Sequence, residues 1–136
     1  ILNQLQLSER IETDCIPLQA SGSVDSLVEA FRKSNRNVFP VLDEQDLFRG
    51  IVRLEDVKEL LLNAEASEGV SIRDLMVSDI TLIDLSEDPA TAIRKFEQSD
   101  RWNLPVIRNG KYAGFISRSN LFSHYRRILK RSSSLV

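Results

Sequence analysis

The stretch that decides the fold is Asn37-Val38-Phe39-Pro40-Val41-Leu42, followed after a polar turn by Gly50-Ile51-Val52-Arg53-Leu54-Glu55-Asp56. A shift of 65 residues brings Pro40-Val41 onto Pro105-Val106, and one residue dropped in the turn then brings Gly50 onto Gly114. An ordered series of apolar matches accompanies these identities along the chain. The sequence is therefore a tandem duplication.

Each copy predicts the same order of elements: a short strand, a helix, two strands joined by a turn, and a closing helix. The first helix of each copy has apolar residues at i, i+3, i+4 and i+7, which puts Phe31 and Phe96 in the core. Ser23 and Asp88 stand at N-cap positions, and Asn109-Gly110 is typical of a two-residue hairpin turn. The fold class is α+β, with two β-α-β-β-α repeats related by a pseudo-twofold axis. The predicted strands are Cys15–Leu18, Val38–Leu42, Leu47–Arg53, Ile80–Leu85, Leu104–Ile107 and Lys111–Ser117, and the closing helices are Leu54–Leu62 and Arg118–Leu129.

The division of the chain follows from the duplication. Residues 1–66 are predicted to hold the first repeat with its N-terminal lead-in. Residues 67–136 hold a linker helix, the second repeat and a basic C-terminal tail. Asn63–Gly69 is interpreted as a polar linker and Ser71–Met76 as a short capped helix. Because the chain opens with Ile1 and has no signal peptide, we expect a fragment of a longer protein.

Composition excludes several classes of protein. The chain has 136 residues, of which 42% are hydrophobic and 28% charged, a balance that excludes a disordered or disulfide-framework protein. A net charge of −2 gives no overall attraction to nucleic acid. The single cysteine, Cys15, fits a reducing, cytosolic setting and is predicted to be a buried small hydrophobe.

No residue pattern predicts catalysis or a metal site, so the sequence indicates a protein that is not an enzyme. His124 is interpreted as a surface histidine, and Asp43-Glu44-Gln45-Asp46 as a solvated turn without the glycine and spacing of a calcium loop. The basic run Tyr125–Arg131 suits the negative end of a helix dipole. The alternative for this tail is contact with acidic lipid headgroups or with an acidic patch on a membrane partner.

The Pro-Val pair and the later Gly-apolar-apolar-x-x-x-Asp/Asn pattern, each present twice, resemble the cystathionine-β-synthase (CBS) domain, which occurs as tandem pairs called Bateman modules. The second copy is most similar to the cytosolic C-terminal CBS pair of bacterial CLC-type chloride channels and transporters. The residues that carry this likeness are Trp102-Asn103-Leu104-Pro105-Val106, Gly110-Lys111-Tyr112, Gly114-Phe115-Ile116-Ser117-Arg118-Ser119 and Tyr125-Arg126. The resemblance implies a regulatory homodimer in ion transport, at the cytosolic face of the membrane, joined to a membrane transport domain of the same polypeptide.

The resemblance also implies an adenine nucleotide (AMP, ADP or ATP) as a regulatory ligand, with no required cofactor. In the family the base lies against backbone, and the final Asp of the pattern holds the ribose. Two clefts are predicted. One combines Ile16-Pro17 and Arg36-Asn37-Val38 with Ser117 and Asn120. The other combines Thr81-Leu82 and Arg101-Trp102-Asn103 with Arg53 and Asp56.

Neither cleft matches the family pattern in full. Asn120 replaces the family's Asp, whereas Asp56 keeps it, so we expect the Asp56 cleft to bind better. Arg53 replaces Thr or Ser; its guanidinium can hold phosphate, or it can fill the cleft by pairing with Asp56. Ser117 and Asn120 also fit a helix cap that binds nothing.

Two other functions remain open from the sequence. One is a structural dimerisation module with empty clefts, and the other is a CBS regulatory segment of a soluble enzyme or of another transporter. The apolar side chains on the two closing helices exceed what a small core absorbs; they are Val57, Leu60, Leu61, Leu62, Leu121, Phe122, Tyr125 and Leu129. They predict burial against a second chain.

Overall fold

The computed structural model describes residues 7–134 and confirms two β-α-β-β-α repeats of the α+β class. In the first repeat the elements are β1 (Leu18–Gln19), α1 (Val24–Lys33), β2 (Val38–Leu42), β3 (Phe48–Arg53) and α2 (Leu54–Leu61). Two single-turn helices follow, α3 (Ala64–Ser67) and α4 (Ile72–Leu75). In the second repeat they are β4 (Ile83–Asp84), α5 (Pro89–Ser99), β5 (Asn103–Arg108), β6 (Lys111–Ser117) and α6 (Arg118–Ser134).

The repeat-one unit comprises residues 14–80 together with 110–112. Its sheet has the order β1-β2-β3, with Leu18 parallel to Val41 and Phe39 antiparallel to Val52. The core of this unit lies where α1 and α2 cover the sheet, because their apolar stripes meet the inward side chains of the strands. The residues fully buried there include Leu27, Phe39, Val41, Val52 and Ile72.

The repeat-two unit comprises residues 7–13, 81–109 and 113–134 of the described chain. Its sheet has the order β4-β5-β6, with Ile83 parallel to Val106. Leu7, which precedes the first repeat in sequence, is 3% exposed and belongs to this core. The residue boundaries predicted for the two repeats stay a prediction.

Local sequence signals predicted the starts of α4 and α5 and the turn between β5 and β6. The Asp88 carboxylate accepts a hydrogen bond from the Ala90 N–H at 2.9 Å, and Pro89 takes the first position of α5. Asn109 and Gly110 have φ of 54° and 78°, the two left-handed residues that a type I′ hairpin turn requires. In α4, the Ser71 N–H and hydroxyl donate to the Asp74 carboxylate, which completes a capping box.

Both sheets gain one short antiparallel bridge beside an equivalent glycine. Val77 exchanges two backbone hydrogen bonds with Ile51 (3.0 and 2.8 Å), next to Gly50. Glu12 does the same with Phe115 (2.6 and 2.9 Å), next to Gly114. A Cβ at either glycine would lie 2.6 Å from the carbonyl oxygen of the bridging segment, so glycine allows this approach.

Several predicted elements differ from the observed ones. The strands predicted at Cys15–Leu18 and Ile80–Leu85 shrink to two residues each, and Cys15, although buried as predicted, lies before β1. The polar linker Asn63–Gly69 contains the helical turn α3, which the Asn63 side chain caps. The two strands were predicted too long because apolar residues indicate burial, whereas strand pairing also needs a partner in register.

The prediction that Phe31 and Phe96 both lie in the core is confirmed for Phe96, whereas Phe31 packs against the core and is only partly buried. Phe96 is 0% exposed, and the Phe122 ring packs edge-on against it at 6.4 Å. Phe31 packs edge-on against Phe39 at 4.8 Å but is only partly buried. The chain has Lys58 at the position equivalent to Phe122, so no aromatic ring covers Phe31 from α2.

Candidate functional site

Arg53 and Asp56 lie together where β3 passes into α2. Arg53 is the N-cap residue of this helix, and Asp56 lies in its first turn. The Arg53 Nη1 is 3.8 Å from the Asp56 Oδ2, while the side chains are 17% and 42% exposed. The carboxylate is therefore open enough to accept hydrogen bonds from a ligand's hydroxyl groups, and the guanidinium can bind an oxyanion.

In both repeats, a backbone hydrogen bond joins the residue before the second strand to the first residue of the closing helix. The Leu54 N–H donates to the Asn37 carbonyl at 2.9 Å, and the equivalent Arg118 N–H donates to the Trp102 carbonyl at 2.8 Å. Each bond satisfies one of the free N–H groups of a helix start. Each also fixes two predicted site segments of the same unit relative to each other.

Ser117 and Asn120 have structural roles in the repeat-two unit. The Ser117 Oγ accepts a hydrogen bond from the Asn120 N–H at 3.1 Å, as the capping interpretation predicts. The Asn120 Nδ2 donates to the Arg10 carbonyl at 3.1 Å. Asn120 thus holds the lead-in segment and has less hydrogen-bonding capacity left for a ligand than Asp56 has.

Arg36 forms a two-pronged ion pair with Asp14. Its Nε and Nη2 lie 3.0 and 2.6 Å from the two carboxylate oxygens, and the hydrogen bond from Arg36 lowers the pKa of Asp14. Burial is the main reason why the pKa of Tyr112 is raised, and the thiol of Cys15, the residue after Asp14, raises it further. Arg36 is therefore already paired, unlike its equivalent, Arg101, for which no ion pair is found among the described residues.

Trp102 is presented at the surface of the repeat-two unit. It is 75% exposed, and the Arg118 guanidinium lies 5.5 Å from the centre of its ring. Arg118 is itself fixed, because Nη2 donates to the Phe96 carbonyl at 2.6 Å and Nε to the Arg101 carbonyl at 3.2 Å. An exposed indole backed by a fixed cation is suited to stacking against a planar ligand.

Leu82 is held from α5. The Lys95 Nζ donates to the Leu82 carbonyl at 2.6 Å and pairs with Glu87. This contact fixes the backbone ahead of β4, where Thr81 and Leu82 are partly buried. Sequence reasoning missed Lys95 because the two residues are thirteen positions apart and no motif joins them.

The predicted site residues are divided between the two units of the chain. The repeat-one unit contains Ile16, Pro17, Arg36, Asn37, Val38, Arg53 and Asp56. The repeat-two unit contains Thr81, Leu82, Arg101, Trp102, Asn103, Ser117 and Asn120. The two predicted clefts, which combine residues across these groups, stay predictions.

The turn at residues 43–46 is solvated as predicted, since Glu44, Gln45 and Asp46 are exposed. Asp43 organises this turn, because its carboxylate accepts hydrogen bonds from the Gln45 and Leu47 N–H groups and from Arg49. His124 is partly buried rather than a surface histidine. Over residues 7–134, no group of three or more metal-ligating side chains is close enough to hold an ion. In the same range no helix has the length and apolar character needed to cross a membrane.

The fold defines a tandem α+β repeat protein with polar side chains at the start of both closing helices. The family model for the CBS domain matches residues 8–63 and 72–127, so the chain belongs to the CBS domain family. CBS pairs are regulatory modules rather than catalysts.

Solved structures of other proteins have the same fold. OpuCA of Staphylococcus aureus is 19% identical with a TM-score of 0.70, over 88% of this chain and 98% of that one. CBSX2 of Arabidopsis thaliana in complex with AMP is 22% identical with a TM-score of 0.67, over 89% and 96%. The CBS domain of a bacterial CNNM/CorC family Mg²⁺ transporter in complex with ATP is 14% identical with a TM-score of 0.67, over 86% and 84%. No curated protein sequence gives a significant match.

Proposed function

We propose that this CBS pair senses an adenine nucleotide, and that Asp56 is the ribose-binding carboxylate. The observation that carries the proposal is the partly exposed Asp56 side chain beside Arg53 at the start of α2. Support also comes from the complexes of two CBS proteins of the same fold, one with AMP and one with ATP. Arg53 then adds attraction for phosphate and favours ADP or ATP over adenosine.

We propose that the Asp56 cleft binds a nucleotide more tightly than the Asn120 cleft. The Asp56 side chain is charged, whereas the Asn120 side chain is neutral and already hydrogen-bonded within the protein. A carboxylate accepts charge-assisted hydrogen bonds from two ribose hydroxyls, whereas an amide offers one neutral acceptor. The Asn120 NH₂ group is also engaged with the Arg10 carbonyl. Trp102, together with Thr81, Leu82, Arg101 and Asn103, is proposed to serve the Asp56 cleft. Ile16, Pro17, Arg36, Asn37 and Val38 are proposed to serve the Asn120 cleft with Ser117.

Calorimetric titration with AMP, ADP and ATP tests this assignment. The exchange of one charge provides a matched pair of variants, Asp56→Asn and Asn120→Asp. We expect Asp56→Asn to weaken nucleotide binding by a factor of between a few and about thirty. This factor corresponds to the difference in free energy between charge-assisted and neutral hydrogen bonds. We expect Asn120→Asp to leave nucleotide binding at the Asp56 cleft unchanged. Equal binding by the parent and Asp56→Asn rejects the assignment.

A structural module with empty clefts is the second candidate, and the Arg53–Asp56 ion pair is the observation that favours it. In that case Arg53 closes the cleft by occupying Asp56. Arg53→Ala separates the two functions, because it weakens binding if Arg53 contacts the nucleotide. It creates binding that the parent lacks if Arg53 is a plug.

The parent protein is proposed to be a CLC-type chloride channel or transporter, with this pair as its C-terminal regulatory domain at the cytosolic face. The support is the likeness of the second repeat, from Trp102 through Arg126, to bacterial members of that class. The coding sequence upstream of Ile1 tests it, since a transport domain requires many apolar helices there. A soluble enzyme sequence in that place rejects it.

We also propose a homodimer, because CBS pairs often dimerise and Leu129 remains 49% exposed on α6. Sedimentation velocity of the parent and of Leu129→Glu measures this. A dimer that dissociates in the variant supports the contact, and a parent that stays monomeric at tens of micromolar, roughly the range of a weak interface, rejects it.

A further inference from the structure

A polar pocket lies at the end of the repeat-one sheet that is opposite to Arg53. Its volume is about 450 Å³, and it is lined by the residues that end β1, the turn after β2, and α4. Strand β2 begins with Val38 opposite Arg53 and ends with Leu42, directly before Asp43 of the pocket. An extended strand of this length spans about 13 Å, so the pocket is separate from Arg53 at the proposed nucleotide site.

Backbone hydrogen bonds hold the walls of this pocket in place. The Ala20 N–H donates to the Leu42 carbonyl at 2.9 Å, and the Ala20 carbonyl accepts from the Arg73 N–H at 3.0 Å. The turn that carries Glu44 is held by two backbone N–H groups that donate to the Asp43 carboxylate. The pocket is therefore formed before a ligand arrives, as small-molecule sites usually are.

The pocket presents one uncompensated charge of each sign. Arg49 and Asp43 pair with each other at 2.7 Å. Glu44 and Arg73 are both exposed, and across residues 7–134 neither forms an ion pair, although both line the same cavity. The Asp74 carboxylate, next to Arg73, is engaged in the capping box of α4.

These charges specify the chemistry of the ligand. A simple anion compensates Arg73 but is repelled by Glu44, and for a simple cation the reverse holds. A ligand that carries both charges compensates both side chains. Gln19, Ser21 and Gln45, which also line the pocket, can hydrogen-bond a polar but uncharged part of the same ligand.

The second repeat shows that the fold itself does not require these charges. At the positions equivalent to Arg73 and Arg49 the chain has Ser8 and Ala113. The same backbone framework is thus built there without the two guanidinium groups.

We propose that this pocket binds a small zwitterion, namely a free α-amino acid with a polar side chain. Its carboxylate pairs with the Arg73 guanidinium, and its ammonium group donates to the Glu44 carboxylate. Its side chain bonds to the amide and hydroxyl groups of Gln19, Ser21 and Gln45. The amino acid binds with or without a nucleotide, because the two sites share no side chain.

Nuclear magnetic resonance titration of the whole, isotopically labelled 136-residue chain tests the proposal. The probes are L-asparagine and L-glutamine, together with three relatives of asparagine. Succinamate lacks the ammonium group, β-alaninamide lacks the carboxylate, and succinamide carries no charge. The variants are Arg73→Ala, Glu44→Gln and, as the matched control, Arg94→Ala, which removes an exposed arginine of the repeat-two unit. Circular dichroism verifies that each variant is folded.

We expect L-asparagine to shift the backbone amide signals of Gln19, Ser21 and Gln45, and to bind about fivefold more tightly than succinamate or β-alaninamide, the upper range for one exposed ion pair. Arg73→Ala and Glu44→Gln each weaken binding of L-asparagine by about fivefold, and Arg94→Ala binds like the parent. In Glu44→Gln, L-asparagine and succinamate bind equally, since the ammonium group has lost its partner.

Three results would overturn the proposal. The first is that neither L-asparagine nor L-glutamine shifts these signals at concentrations up to about 10 mM. The second is that succinamide binds as tightly as L-asparagine, since the pocket then selects uncharged polar ligands. The third is that folded Arg73→Ala and Glu44→Gln bind L-asparagine like the parent.

Discussion

A glycine can be required in this fold because its backbone is left-handed or because another segment lies too close for a side chain. Three glycines allow these two physical reasons to be distinguished. Gly69 has φ of +76° and nothing within 4 Å of an added Cβ, so only its backbone conformation demands glycine. Gly50 is crowded by the Val77 carbonyl at 2.6 Å but has no left-handed φ. Gly114 has φ of +157° and the Glu12 carbonyl at 2.6 Å, so both reasons apply there.

Alanine substitution at these three positions is therefore expected to lower the free energy of unfolding by different amounts. Gly69→Ala costs about 1 kcal/mol, the usual penalty for a side chain in left-handed backbone. Gly50→Ala displaces the Val77 bridge and its two hydrogen bonds, at about 1 kcal/mol each. Gly114→Ala displaces the Glu12 bridge with its two hydrogen bonds and adds about 1–3 kcal/mol of backbone strain. The total cost is about 3–5 kcal/mol.

Urea denaturation followed by circular dichroism measures the three values against the parent. The order expected for the loss is Gly114→Ala, then Gly50→Ala, then Gly69→Ala. If Gly114→Ala costs no more than Gly69→Ala, the Glu12 bridge contributes nothing and the reasoning is wrong. Hydrogen exchange at the Phe115 amide gives a direct reading, because only loss of the Glu12 bridge exposes that group.

Two further predictions concern the core and the helix cap. Phe96→Ala should lower the free energy of unfolding by about 3–5 kcal/mol, whereas Phe31→Ala, already part-exposed, should cost clearly less; equal losses in urea denaturation would contradict the difference in burial. Hydrogen bonds from the Ser71 N–H and hydroxyl lower the pKa of Asp74 below its ordinary 3.8, so its stabilisation is present above that pH and is lost as the pH falls through the folded value. Asp74→Asn should therefore be less stable than the parent at neutral pH, with a difference that shrinks below about pH 4; a difference that is constant with pH would refute the assignment.

The central strands and turns could be predicted because their signals are local. The bounds of β2, Val38–Leu42, and of β6, Lys111–Ser117, agree with the sequence prediction. Asn109-Gly110 adopts the predicted turn because both residues tolerate positive φ. The first strand of each repeat was predicted too long, since an apolar run such as Cys15–Leu18 can be buried without pairing.

The candidate site could be predicted in residue type but not in its contacts. Asp56 and Asn120 are recognisable from the repeated pattern, and their difference in charge is visible in the sequence. The bond from Asn120 to the Arg10 carbonyl joins residues 110 positions apart, and no periodicity encodes it. The Lys95 contact with Leu82 likewise depends on tertiary packing.

The membership of residues 7–13 in the repeat-two unit has a consequence for synthesis on the ribosome. Chains emerge from the N-terminus, and early units generally fold first. Residues 7–13 are made before the first repeat, yet Glu12 pairs with Phe115, which is made after that repeat is complete. Residues 14–80 can begin to fold around Phe39 and Val52 while residues 7–13 still lack their partner. Residues 7–13 are therefore protected later than the repeat that follows them, and a product truncated before Phe115 leaves them exposed to proteases and chaperones.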